Sequence, residues 1–264
     1  EALLIAESLK EEVSALQSAL RERLSLCGFP ETYLQPVYEC PACRDTGYVG
    51  EPVRERCACF LRRLRALQAG ACEGLDPCQT FEAYDEAVYP DTPLGEGAGD
   101  TQRGYMARMR ERCASYAALY PLNPKRNLLF LGMSGLGKTY LMNCVGNAVR
   151  QKGGEVMKLT AYQLTERMRA SVFDRDPDAF SVLLDVPLLL LDDLGAEPML
   201  NNITVEQLFT LLNERDLSGL HTVVSTNLQP DELQRRYTER ICSRLFDKRN
   251  TAVLPFKGKD VRLA

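Results

Sequence analysis

A glycine-rich lysine loop and a set of closely spaced cysteines are the residues of this chain best placed to do chemistry. The loop sits in Asn127-Leu-Leu-Phe-Leu-Gly132-Met-Ser134-Gly135-Leu136-Gly137-Lys138-Thr139-Tyr140, an apolar run that feeds Gly132-x4-Gly137-Lys138-Thr139 and then a helix-forming stretch. Glycines let the backbone curl so that successive N–H groups face one point, as phosphate oxygens require. A lysine at this spacing reaches the outer phosphates, and the next hydroxyl is offered to magnesium. The pattern predicts a P-loop in which Gly132, Ser134, Gly135, Leu136, Gly137, Lys138, Thr139 and Tyr140 hold a nucleoside triphosphate. The positive end of the following helix adds to the same site.

Three later stretches fit that chemistry. Leu188-Leu-Leu-Leu-Asp192-Asp193 reads as a buried strand delivering two acids beside the loop, at the carboxyl end where open α/β sheets bind ligands. Asp192 is expected to hold Mg²⁺ with Thr139, and Asp193 to orient or deprotonate the attacking water. Thr222-Val-Val-Ser-Thr226-Asn227 ends where a γ-phosphate is sensed, with Asn227 the better candidate. The same residue also suits a turn before Pro230. Arg240 and Arg244 lie four apart on one helix face, where an adjacent subunit can receive them to stabilise the transferring phosphoryl group. The competing reading joins them to Arg235, Arg236, Lys248 and Arg249 as a solvated basic face or a patch for a phosphate backbone.

Cys40-Pro-Ala-Cys43 and Cys57-Ala-Cys59 flank a 13-residue stretch that contains Gly47 and Gly50. Two such cysteine hairpins close one tetrahedral Zn²⁺ site, and the single histidine, His221, is remote in sequence. The tight Cys-x-Cys half leaves Cys72 or Cys78 as a replacement ligand, and free thiols in a small core are the plainer alternative. Cys27, Cys113, Cys144 and Cys242 sit in apolar helical patterns and are expected in the core.

The elements that must position these groups are legible in outline. Leu9, Val13, Leu16, Leu20 and Leu24 recur at helical spacing over 1–26, on a helix that either packs on the cysteine module or docks a partner. Gly28-Phe29-Pro30 ends it. A helix over 60–68 carries Arg62, Arg63 and Arg65 on a solvated face. Residues 74–104, rich in Pro and Gly and including the Gly95–Gly99 run, read as a linker. Helices are expected over 102–119, 138–151, 161–171 and 203–216, with two more within 230–248. Strands are expected at 127–131, 155–159, 187–191, 221–225 and 251–255. The alternation predicts a parallel α/β sheet with crossover helices. The expected domains are an amphipathic helix at 1–30, a zinc module at 31–73, a linker and lead-in helix at 74–125, and a nucleotide domain at 126–264. A net charge of −4 gives no global attraction to nucleic acid or anionic lipid. With no membrane-length apolar run and no signal peptide, the protein is expected to be soluble and cytoplasmic, with no membrane partner. The chain opens on Glu1, which suggests a trimmed or engineered start and leaves a further N-terminal segment open.

The ordered set of motifs resembles an AAA+ ATPase, and more narrowly the bacterial DnaC/DnaI helicase-loader family and its relatives, the IstB transposition ATPases. The likeness is carried by Gly135-Leu-Gly-Lys-Thr139, Leu191-Asp-Asp-Leu-Gly-Ala-Glu197, Asn213-Glu-Arg215, Ser225-Thr-Asn227 and Arg240-x3-Arg244. Cys40-Pro-Ala-Cys43-Arg-Asp-Thr-Gly-Tyr48, Cys57-x-Cys59-Phe60 and Thr80-Phe-Glu-Ala-Tyr84 resemble the zinc-bearing loaders. The resemblance implies an AAA+ P-loop fold, a central parallel sheet flanked by helices, with a small N-terminal helix and zinc-binding module. It implies Lys138 and Thr139 as the Walker A pair, Asp192 and Asp193 as Walker B, and Asn227 as sensor 1. Arg244 becomes the arginine finger with Arg240 as the alternate, and Arg262, in Phe256-Lys-Gly-Lys-Asp-Val-Arg262, becomes sensor 2.

Asp193 stands where AAA+ proteins commonly carry Glu, so the base lies further from the water and slow ATP hydrolysis to ADP is implied, dependent on oligomer contact or DNA. The all-Cys cluster departs from relatives that use a histidine ligand. A helical insertion over 161–185 corresponds to a face for single-stranded DNA, with Lys158, Arg167, Arg169 and Phe173 as candidates and Asp174, Asp176 and Asp178 diluting the charge. The implied activity is a loader that self-associates through its nucleotide sites, binds a DnaB-type replicative helicase and places it on single-stranded DNA in replication initiation. The rivals are an IstB-like transposition helper and a nucleotide-gated zinc adaptor with little turnover.

Overall fold

Two patterns in the sequence become two structural units. The computed structural model describes residues 2–30, 32–34, 36–50, 52–63, 74–95, 99–174, 176, 178–200 and 203–262, and the chain divides into Glu1–Arg62 and Arg63–Ala264. Arg65 and Cys72 lie outside the described residues, as do 64–68 of the expected Arg-rich helix and 96–98 of the glycine run.

The first unit opens with α1 (Ala2–Leu26), a run of helix formers uninterrupted by Gly or Pro. Gly28 takes φ 75° just past its end, and the Phe29 N–H bonds back to the Leu24 carbonyl at 2.9 Å, which stops the helix where the sequence says it should. Only Leu24 of the apolar stripe is buried; Leu9, Val13, Leu16 and Leu20 are 47–65% exposed. Cys27, expected in the core, is exposed because it falls in this terminating turn. An antiparallel ribbon of β1 (Tyr48–Val49) and β2 (Glu55–Arg56) follows, then α2 (58–63), where Arg62 and Arg63 are exposed.

In the second unit a short 3₁₀ turn (Glu86–Val88) precedes α3 (Gln102–Leu119). The chain then alternates β3 (Asn127–Leu131), α4 (Lys138–Gln151), β4 (Val156–Thr160), α5 (Ala161–Phe173), α6 (Asp178–Asp185), β5 (Leu188–Leu194) and α7 (Thr204–Leu217). It closes with β6 (His221–Thr226), α8 (Pro230–Arg236), α9 (Glu239–Leu245) and β7 (Thr251–Pro255). Five strands form one sheet in the order β4-β5-β6-β3-β7, every neighbouring pair parallel. Such strands are buried on both faces and read as continuous apolar runs.

Alternate residues serve opposite layers. Leu128, Phe130, Leu188, Leu190 and Val223 join one apolar cluster with α3 and α4, while Leu129, Leu189, Leu191 and Val224 join the other with α5 to α9. The described residues of 74–104 are not the linker their Pro and Gly content implies. Their sparse apolar residues dock instead: Leu75, Phe81 and Tyr89 are buried in the first cluster. Asn147 of α4 donates to the carbonyls of Asp76 and Gln79 at 2.8 and 3.0 Å. Among the described residues, no helix is long and apolar enough to cross a membrane.

Arg215, 1% exposed, anchors the edge of the second layer through carbonyl and hydroxyl acceptors. Its guanidinium donates to the carbonyls of Leu183, Val186 and His221 and to Thr222 Oγ1 at 2.6–3.0 Å, which satisfies otherwise orphaned carbonyls at helix and strand ends. His221 lies beneath it, 5% exposed and edge-on to Tyr120. Burial, then the nearby charges of Arg126 and Arg215, push its pKa from 6.5 down to about 4. The unfolded chain therefore takes up this proton first, so the stabilisation is complete above pH 6.5 and is lost as the pH falls toward 4. The single His resonance should titrate near pH 4 by NMR. Denaturant melts should show up to about 3 kcal/mol of acid destabilisation that His221→Phe removes.

Candidate nucleotide and metal sites

Every polar group of the candidate site emerges at the carboxyl end of the sheet. β3 ends at Leu131, and the chain turns through Gly132 and Gly135, whose φ angles are 151° and 73°. A Cβ at Gly132 would strike the Phe256 carbonyl, and one at Gly135 the Asp260 carboxylate. The loop is thus cradled from outside by the C-terminal tail, where Phe256 N–H bonds Leu131 O at 2.5 Å and Val261 N–H bonds Gly135 O at 3.1 Å. Gln102, 2% exposed, holds that tail by accepting from Lys259 N and donating to Lys259 O, at 2.9 and 2.8 Å.

Lys138 opens α4 and is 5% exposed. Its ammonium donates to the carbonyls of Gly132 and Met133 at 2.7 Å each and to Asn227 Oδ1 at 2.6 Å. Burial lowers its pKa, opposed by the charges of Asp193 and Asp192. Asp192, 4% exposed, sits between three elements. Its Oδ1 accepts from Ser225 Oγ at 2.6 Å and from Thr139 Oγ1 at 3.2 Å, and its Oδ2 lies 3.3 Å from Lys158 Nζ. Immediately after it the β5–β6 register shifts. Asp193 adopts φ 56° and donates its N–H to Ser225 Oγ at 2.9 Å. This bulge re-aims the second acid to meet Asn227 Nδ2, 3.4 Å from Asp193 Oδ1.

These groups surround a cleft of about 310 Å³ lined by Gln79, Ser134, Gly135, Gly137, Lys138, Thr139, Tyr140, Asp193, Asn227 and Arg262. Gly132 and Leu136 lie behind the loop, and Leu136 packs in the first core cluster. The glycine cradle, a buried ammonium, and the Thr139 hydroxyl beside the Asp192 carboxylate are the donor set that a nucleoside triphosphate with Mg²⁺ requires.

Arg240 and Arg244 are not brought to this cleft. Arg240 stacks its guanidinium 4.2 Å from the Phe209 ring centroid. Arg244 lines a small pocket with Asn127, Asp216, Thr222 and Thr251, at the opposite end of the strands. Of the other cations in the basic stretch, Arg235 pairs with Asp231, Arg236 with Glu197 and Arg249 with Asp247.

The expected DNA-facing cations fare poorly. Lys158 is 5% exposed and committed to Asp192. Arg169 is paired with Glu166 and Asp174, and Arg167 reaches the Ala179 carbonyl at 3.4 Å. Phe173 remains exposed.

Sequence reasoning missed Lys158, Gln79 and the part played by the Ser225 hydroxyl at the site. A lysine set among Val156, Met157 and Leu159 was the available signal, because a cation in a buried strand requires a partner. Gln79 gave none, since what brings it to the cleft is a turn on Asp76 together with a hydrogen bond from Asn143 Nδ2, distant in sequence, at 2.8 Å.

In the first unit, Cys40, Cys43, Cys57 and Cys59 bring all four Sγ atoms within 4.8 Å of one another. The Cys40–Cys57 and Cys43–Cys59 separations are 3.8 and 3.3 Å. Zn–S bonds of about 2.3 Å in a tetrahedron set an S–S edge near 3.8 Å, so four thiolates at these positions fit zinc. The knuckle is preformed by Asp45, whose carboxylate accepts from Glu39 N and Cys40 N at 3.1 and 2.8 Å. Without metal the thiols are unequal. The Cys43 backbone N–H draws Cys40 down to about 7, and the hydrogen bond with Cys43 pushes Cys59 up to about 12. Cys78, the alternate ligand, is exposed and is not among the four.

Comparison with known proteins gives this arrangement relatives. A family model described as the bacterial DnaA ATPase domain matches residues 103–249, more than half of the chain. The replicative helicase loader DnaI of Bacillus subtilis (strain 168) is 29% identical over 114 residues, 43% of this chain and 37% of that protein. The DnaC helicase loader superposes with a TM-score of 0.51 at 22% identity, over 66% of this chain and all of that one. A DnaA initiator bound to AMPPCP and single-stranded DNA superposes at 0.50 and 23% identity, over 68% of this chain and 50% of that one. Those two likenesses establish the AAA+ fold. The chain spans well under half the length of the DnaI relative it matches.

Lys138→Ala should lower nucleotide affinity by at least about 100-fold in fluorescence titration, since it removes a charge-assisted phosphate contact, while the far-UV circular dichroism is retained. Elemental analysis should find one zinc per chain. On chelation, four further thiols should react with a chromogenic disulfide.

Proposed function

Because the chain belongs to the family of the bacterial DnaA ATPase domain, we propose that this AAA+ ATPase is a loader of the DnaC/DnaI kind. It grips a DnaB-type replicative helicase through its N-terminal unit and helps place it on single-stranded DNA. The observation that carries this reading is the exposed stripe of Leu9, Val13, Leu16 and Leu20 on α1. An apolar stripe left in water on a helix of 25 residues is the form that groove-docking helices take. The cysteine cluster of the same unit supplies the cross-link that its short ribbon lacks.

At the ATPase site, the P-loop amides and Lys138 bind and orient the phosphates, and Arg262 approaches them from the tail. Thr139 and Asp192 would hold Mg²⁺, which when bound neutralises phosphate charge. Asp193, kept in place by Ser225 and Asn227, positions a water and receives its proton. An aspartate at this place reaches less far than glutamate, and this supports slow turnover. Arg244, or Arg240 as its alternate, acts across a subunit boundary in this proposal. Its distance from its own cleft makes hydrolysis depend on self-association or on DNA that promotes it. Phe173 is the candidate for stacking on an unpaired base.

The test is light scattering on a size-exclusion column of the protein with its host's replicative helicase, with and without ATP and Mg²⁺. A defined nucleotide-sensitive complex is expected, abolished by Leu16→Glu without change in nucleotide affinity. No complex at micromolar concentration would sink the loader reading in favour of a transposition helper or a zinc adaptor.

A further inference from the structure

Asp192 does not face its surroundings as a bare carboxylate. One oxygen takes two hydroxyl hydrogen bonds, from Ser225 at 2.6 Å and Thr139 at 3.2 Å. The other faces Lys158 Nζ at 3.3 Å, with the two side chains 6% and 5% exposed. The ammonium is held on its far side as well, donating to the Gly74 carbonyl at 2.9 Å. Its stem runs within β4, whose Lys158 pairs in register with Leu190, two residues before the acid. A lysine so confined cannot swing out to solvent without leaving both acceptors, and a buried carboxylate gains from an ammonium held this close.

We propose that Lys158 is a resident counter-ion for the magnesium-binding carboxylate. This inference rests on the reading that the cleft binds a nucleotide with Mg²⁺. With Lys158 in place the back wall of the cleft is close to neutral, so phosphates enter without a metal to screen Asp192. The same ammonium competes with the incoming dication for that carboxylate, so Mg²⁺ is held more weakly than by an unpaired acid. Lys158 is a positioning residue. It sits behind Asp192 and acts on the nucleotide only through it.

The test is a titration of the intact protein with a fluorescent ADP analogue, in EDTA and across a series of Mg²⁺ concentrations. The wild type should bind in EDTA within about tenfold of its affinity in saturating Mg²⁺, because the carboxylate is already neutralised. Lys158→Met, similar in length and uncharged, should lose about tenfold in EDTA and reach half-saturation at about tenfold less Mg²⁺. In an Asp192→Asn background the Lys158→Met change should no longer move the magnesium curve, because the two act as one unit. Superimposable magnesium curves for wild type and Lys158→Met, both binding nucleotide, overturn this inference alone. A wild type that loses 100-fold or more in EDTA overturns it without recourse to any variant. No binding by the wild type under either condition overturns the nucleotide-site reading and this inference with it.

Discussion

A parallel strand covered on both faces admits a polar side chain away from its ends only when that side chain is paired, as Lys158 is in β4. This constraint governs the ATPase unit. Leu188 to Leu191 fill two apolar layers in alternation, and the chain can present Asp192 and Asp193 only where the layers stop. The same limit brings the end of β3, with its phosphate loop, and the end of β6, with Ser225 and Asn227, to one rim. The site is therefore a consequence of the sheet direction: five strands running the same way deliver their polar termini together, and an antiparallel partner in the middle would have scattered them.

At that rim the chemistry depends on buried groups that satisfy one another directly. Lys138 spends its hydrogen bonds on two loop carbonyls and Asn227, Asp192 on two hydroxyls and an ammonium. A buried polar network is stable only when its members are satisfied, and this one is preorganised by backbone elements that are themselves anchored in the core. The β5–β6 register shift adds a local distortion at Asp193, a kind of irregularity that persists where the surrounding structure holds it in place.

Much of this was legible in the sequence, and the physical reason is periodicity. The strands at 127–131 and 251–255 and the helices at 102–119 and 138–151 stand where the patterns put them, because each is an apolar run or stripe bounded by turn residues. What escaped was contributed by residues whose neighbours are distant in sequence. Residues 74–104 look loose because of their Pro and Gly, yet a few apolar side chains suffice to dock an irregular strand of chain. Lys158 looked like a surface cation because residue type outweighed its strand position. Arg215 stood out only within a motif; nothing in its own sequence shows that it caps three carbonyls from Leu183, Val186 and His221. The four cysteines were legible because ligand spacing is itself a local signal.

The tail that runs along the phosphate loop has a mechanical side. It is bonded to Leu131 and Gly135 through its backbone and gripped at Lys259 by Gln102. Residues 256–261 therefore behave as a seam stitched to the end of β3, to the glycine loop and to α3. Its first bond is to Leu131, the last residue of β3, and its last is to Gly135 in the loop, so the tail ties the loop to the end of the sheet. The outline of the glycine loop is thus set partly by the chain that leaves the last strand, about 120 residues further on.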